Sequence, residues 1–237
     1  MSHTPITSLA GAGGPTPQPP QPQRSAESTF GALVVLVAIN VVVFLIELAS
    51  SPFNDTLNGS LVQHGGLSGF EVDQGQWWRI ITSGFLHASG AHLFGNLVAL
   101  VVLGGVLSLA AGPLKMVLVY AAGMLGSSFS VLLFAPDTLT VGASGAIFGL
   151  AGAALVLGVA RRRALLLLFA AAWVIYTLSS TLFVPGISQA AHFGGLIAGG
   201  IAGWLLIGER SQLRSDGAAA GLVAVLLVVL FAGALFV

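Results

Sequence analysis

The chain has 237 residues, 56% of them hydrophobic and 7% charged, with a formal net charge of +0 at pH 7. Soluble globular proteins carry charge on roughly a quarter of their residues, so this composition excludes one and indicates an all-α polytopic membrane protein. Balanced charge, with Arg161-Arg162-Arg163 as the one basic run, gives no footing for nucleic acid, and the absence of cysteine excludes disulfides, thiolate metal sites and a cysteine nucleophile.

Residues 1–29 are rich in Pro, Gln, Ser, Gly and Thr and are expected to form a disordered cytoplasmic tail, because they cannot bury enough surface to offset chain entropy. The tail lacks the charged and apolar regions of a signal peptide, so the first apolar helix is expected to be retained. Seven apolar segments follow, at about 30–49, 91–111, 114–134, 143–160, 164–182, 189–207 and 218–237. Each is close to the roughly 20 residues that cross a hydrocarbon core of about 30 Å. Gly112-Pro113, Pro136-Asp137, the arginine triplet, Pro185-Gly186 and the polar run 208–217 separate them. The loop at about 50–90 carries Phe53, Phe70, Trp77, Trp78 and Phe85, a composition suited to the membrane interface, as an aromatic anchor or with a further purpose.

Basic residues set the expected orientation. With the N-terminus cytoplasmic, Arg24, Lys115, Arg161, Arg162, Arg163, Arg210 and Arg214 all lie inside and only Arg79 outside. The second, fourth and sixth segments then begin on the outer side, and the C-terminus lies outside. A short tail without an organelle presequence suggests a bacterial plasma membrane.

Polar side chains within such segments are costly and mark function. Counting back from Arg163 by about 20 residues at 1.5 Å each puts Ser144 a few ångström inside the outer boundary. The same count from Glu209 puts His192 at a similar depth, and His92 and Asn96 share one face at the start of the second segment. Gly195, Gly199 and Gly203 in the sixth segment, and Gly145, Gly149 and Ala153 in the fourth, recur at four-residue spacing, a pattern that lets two backbones approach closely in lipid. Such a contact would bring Ser144 within hydrogen-bond reach of His192. A lone GxSG is weak in a chain with 32 glycines, a membrane Ser commonly bonds its own backbone, and a membrane His commonly packs or handles protons. The coincidence of depth, face and residue type favours acyl-transfer chemistry: Ser144 as nucleophile, His192 as base, and no acid in the second to sixth segments to complete a triad. The free N–H groups at the start of the fourth helix, with His92 and Asn96, could stabilise an oxyanion. The link 182–189 could act as a movable cap.

These residues resemble the rhomboid intramembrane serine proteases over about residues 30–207. The resemblance rests on Trp78-Arg79, His87, His92-Leu-Phe-Gly-Asn96, Gly142-Ala-Ser144-Gly145 and Ala191-His192-Phe-Gly-Gly195-Leu-Ile-Ala-Gly199. It implies a six-helix catalytic core at 30–207, including the interfacial loop, followed by a cytoplasmic link and a seventh helix at 208–237. It implies Ser144 as nucleophile, His192 as general base, and His92, Asn96 and the Ser144 N–H as oxyanion donors, with Gly142 shaping that turn. Arg79 and His87 would be structural supports, and Gly145, Gly149, Gly195 and Gly199 belong to the packing faces. Phe148 stands where the family often has a tyrosine stacked on the catalytic imidazole, so the ring face is kept and the hydroxyl lost. The implied activity is cleavage of transmembrane segments of other proteins near their outer ends, in the bilayer, with no metal or cofactor. The alternatives are an inactive rhomboid-like binder of membrane proteins, a small proton-coupled transporter, and a zinc site at His87, His92 and His192. Each leaves Ser144, or the absence of midplane carboxylates, without an explanation.

Overall fold

The computed structural model describes residues 26–51, 59–184, 187–208 and 216–236. The tail up to residue 25, Phe53, the Pro185-Gly186 break, Glu209, and the orientation-marking Arg24, Arg210 and Arg214 lie outside the described residues. Each of the seven apolar segments is a helix: α1 (Ala26–Ser50), α5 (Gly90–Ala111), α6 (Pro113–Phe134), α7 (Ser144–Ala160), α8 (Ala164–Thr181), α9 (Gln189–Ile207) and α10 (Asp216–Leu235). The interfacial loop folds into three short helices, α2 (Ser60–Gly65), α3 (Gly69–Asp73) and α4 (Arg79–Thr82), and a 3-10 turn at Ser83–Phe85. Among the described residues the one β feature is an isolated bridge between Leu67 and Thr140.

Five of the long helices, with α1 counted from Thr29, are long and apolar enough to cross a membrane; α7 and the apolar part of α10, Ala220–Leu235, are shorter. The helices start where local chemistry lets them. Ser89 and Ser188 cap α5 and α9 by accepting from the backbone N–H groups of His92 and Ala191. Pro113 begins α6, where its missing N–H costs nothing. Helix α1 begins at Ala26, four residues before the apolar run at Phe30, so the expected tail at 1–29 runs too far by four residues; helix ends are the least readable feature of a sequence.

Helix α7 is the central element, packed by α5, α6, α8 and α9, while α1 lies against α5 and α6, and α10 against α6 and α9. The core runs along it through Ile147, Leu150, Ala154 and Leu157, joined by Leu100, Leu103, Met116 and Leu206 from its neighbours. Trp77 of the loop meets Phe231 of α10 edge-on at 6.4 Å, so the seventh helix touches the interfacial loop as well as the core.

Candidate active site

The turn before α7 is stitched to the interfacial loop. Leu67 and Thr140 exchange two backbone hydrogen bonds of 2.9 and 2.8 Å, and the Gly142 N–H donates to the Ser83 carbonyl at 2.9 Å. Gly142 has φ +125°, and a Cβ there would lie 2.7 Å from His92 Cε1. Backbone conformation and space both require glycine. Among the described residues no side chain caps α7, whose helical residues begin at Ser144. Its first N–H groups therefore have no intrahelical partner and form the positive end of the helix dipole.

Helix α9 meets α7 backbone to backbone. A Cβ on Gly195 would strike the Gly145 carbonyl, and one on Gly199 would strike Gly149 itself. This contact places Ser144 Oγ 3.2 Å from His192 Nε2. An imidazole nitrogen at that distance can accept the hydroxyl proton. Phe148 lies flat against the His192 ring, at 4.3 Å between centroids and 19° between planes, and Trp173 of α8 backs Phe148 at 5.1 Å. His192 Nδ1 is buried and has no hydrogen-bond partner among the described residues, so packing rather than an acid orients the ring.

His92 and Asn96 project from α5 into the same region. His87 Nδ1 is 3.2 Å from the Phe85 carbonyl, which can only accept, so the proton sits on Nδ1 and Nε2 accepts from Asn96 Nδ2 at 3.0 Å. Burial, reinforced by the nearby His92, pushes the His87 imidazole down to about 3 and keeps it neutral. One Asn96 N–H is thus committed to His87, and the other makes no hydrogen bond among the described residues. His87 and His92 pack edge-on at 5.2 Å.

A cavity of about 280 Å³ collects His92, Asn96, Ser144, Phe148 and His192, with Trp173 and Thr177 of α8 on its wall. His87 stands behind Asn96, outside this lining. Arg79 also lies outside it, buried in the loop, donating to the carbonyls of Gly66 and Gln63 at 2.6 and 2.9 Å and to Gln76 Oε1 at 3.0 Å. Two residues beside the site are missed by a reading of the sequence: Trp173, on the cavity wall, and Glu47, whose carboxyl oxygens accept from the His87 N–H at 3.0 and 3.3 Å. Trp173 carries no local signal in an apolar helix. Glu47, a lone carboxylate in the first apolar segment, could have been singled out by the cost of placing it there. Among the described residues no group of three or more His, Cys, Asp or Glu is placed to hold a metal ion.

A family model described as Rhomboid domain matches residues 74–209. The chain belongs to the rhomboid family. It is an integral, multi-pass membrane protein, an all-α rhomboid with a six-helix core and an added C-terminal helix. This rhomboid is 31% identical over 179 residues to Rhomboid protease GluP of Bacillus subtilis, covering 74% of the chain and 34% of the relative. It is 28% identical over 210 residues to Rhomboid protease AarA of Providencia stuartii, covering 76% and 74%. Inactive RHOMBOID-like protein 8 of Arabidopsis thaliana is 32% identical over 162 residues, covering 64% and 45%. The chain thus spans about a third of GluP and under half of the plant relative, and the family includes members named as proteases and one named as inactive.

Proposed function

We propose that this rhomboid is an intramembrane serine endopeptidase that cuts transmembrane segments of other membrane proteins near their outer ends. The observation that carries the reading is the 3.2 Å approach of Ser144 Oγ to His192 Nε2 inside a cavity that also presents His92 and Asn96. Ser144 gives its proton to His192 as its oxygen attacks the scissile carbonyl carbon. The resulting oxyanion is met by the Ser144 N–H, the second Asn96 N–H and a ring N–H of His92. Collapse expels the amine, which takes the proton from His192, and water then repeats the sequence on the acyl-enzyme. Phe148 holds the imidazole plane throughout.

Site depth suits this chemistry. Helix α7 has 17 residues, roughly 26 Å of helix against about 30 Å of hydrocarbon. With Arg161–Arg163 held at the inner polar boundary, Ser144 sits a few ångström inside the outer one, where polar residues can hold water. In this reading the N-terminus is cytoplasmic, the helices from α1 to α9 make up the catalytic core, and α10 is a seventh helix beyond it. The working site needs neither metal nor cofactor.

The test uses the purified full chain, a serine-reactive fluorophosphonate and a reporter transmembrane segment. Labelling at Ser144 with cleavage is expected, both lost in Ser144→Ala, with cleavage also lost in His192→Ala. Equal labelling of Ser144→Ala, or full cleavage by His192→Ala, would overturn the assignment; a folded chain that neither labels nor cleaves any segment of a membrane-proteome library would place it with the inactive members.

A further inference from the structure

Helix α1 turns a bulky apolar face outward through Val35, Val42, Leu45 and Ile46, yet Glu47, beside these residues, is fully buried. Its two carboxyl oxygens straddle the backbone N–H of His87, at 3.0 and 3.3 Å. His87 follows the 3-10 turn and an extended Leu86, so no helix or strand supplies an acceptor for that N–H. One turn earlier, Phe44 meets the His87 ring edge-on at 6.5 Å. Helix α1 therefore grips His87 at both backbone and ring. From His87 the path is short, with the ring accepting from Asn96 and packing against His92.

We infer that Glu47 is a positioning residue for the Asn96 oxyanion donor, acting through the His87 N–H. A buried carboxyl group with a single donor among the described residues is costly and destabilising unless it meets a need of equal size. Here the need is a buried N–H that would otherwise be orphaned, at the point where the loop hands over to α5. Without an acceptor, the turn at residues 85–89 shifts and carries with it the imidazole that aims the Asn96 amide. Misplacement of about 1 Å in such a group costs up to roughly 10²-fold in rate. What His87 requires is an acceptor oxygen at the right reach, not a charge. Glutamine meets that requirement; leucine has no oxygen, and aspartate withdraws its oxygens by one methylene. Among the described residues no acid is hydrogen-bonded to the His192 ring, so Glu47 serves the oxyanion side of the site and not the base.

This inference rests on the protease reading and is tested on the full chain with the same reporter. Glu47→Gln is expected to keep kcat within about threefold, and Glu47→Leu to lower it about tenfold or more with KM unchanged. In an Asn96→Ala background the leucine change should have no further effect, because the donor it acts through is gone. A merely structural role would carry the loss undiminished into that background. Glu47→Asp, which stays ionisable, is the second variant where leucine prevents folding, and the same fall in kcat is expected from it. Wild-type kcat in Glu47→Leu or Glu47→Asp, a change confined to KM, or full additivity with Asn96→Ala would overturn the inference while the wild-type enzyme still labels and cleaves. A wild-type chain that does neither removes the protease reading, and this inference with it.

Discussion

Helices α7 and α8 are joined by the three arginines 161–163, yet their surroundings are opposite. In α7, twelve of seventeen residues are buried, including every one from Gly145 to Ala154; in α8, of eighteen residues, only Ala170 and Val174 are. The α7–α9 contact runs through glycine and alanine, with almost no side chain between the backbones, so there are no rotamers to adjust and separation forfeits the whole contact. Helix α8 instead turns Leu165, Leu168, Ile175 and Tyr176 outward and touches α9 only slightly. Its displacement costs the fewest buried contacts of any helix lining the cavity, and it brings Trp173 and Thr177 to that wall. One side of the cavity is therefore held by close backbone packing and the other by few contacts, which in the proposed reaction is the side that would yield to a substrate segment.

Substitutions on the two sides should separate them. The largest effect is expected from Gly199→Leu, which forces a side chain between the α9 and α7 backbones. Overpacking of this kind costs about 1–3 kcal/mol or more, and both Ser144 labelling and reporter cleavage should disappear. Retention of either would show that the seam tolerates separation. Gly142→Ala comes next: with φ at +125° and His92 in the way, kcat should fall roughly 10²-fold, the scale for disturbing oxyanion donors. A rate near wild type would mean that the turn is not held as tightly as the seam. Phe148→Leu removes a ring stack worth about 0.5–1.5 kcal/mol, so a rate loss of roughly two- to tenfold is expected, read as kcat on the reporter. Smallest is Leu168→Ala on the exposed face of α8, where thermal unfolding in detergent should change by less than about 0.5 kcal/mol. A large loss there would show α8 to be as firmly held as α7.

Much of this arrangement is written locally. The seven helices are legible because each peptide group in hydrocarbon must find its partner within its own segment, which leaves apolar runs of a readable length. The adjacency of Ser144 and His192 is legible through Gly145, Gly149, Gly195 and Gly199, since small residues mark the face along which helices approach in lipid. Stacking of Phe148 on His192 is a different case, because no spacing rule distinguishes it from any buried phenylalanine and only the family resemblance suggested it. The commitment of Asn96 to His87, the hold of Glu47 on the His87 N–H and the backing of Phe148 by Trp173 join elements whose relative rotation no sequence pattern records.

By itself, then, the sequence determined the membrane-spanning segments, their order, and the depth expected for their few polar side chains, because the cost of placing polar groups in hydrocarbon is charged residue by residue. Only the tertiary structure decided which polar groups pair: Ser144 with His192, Asn96 with His87, Glu47 with the His87 N–H. Helices that are apolar on all sides have no hydrophobic face to orient them, so rotation and register come from backbone contacts such as Gly195 against Gly145, and those exist only once the helices are packed.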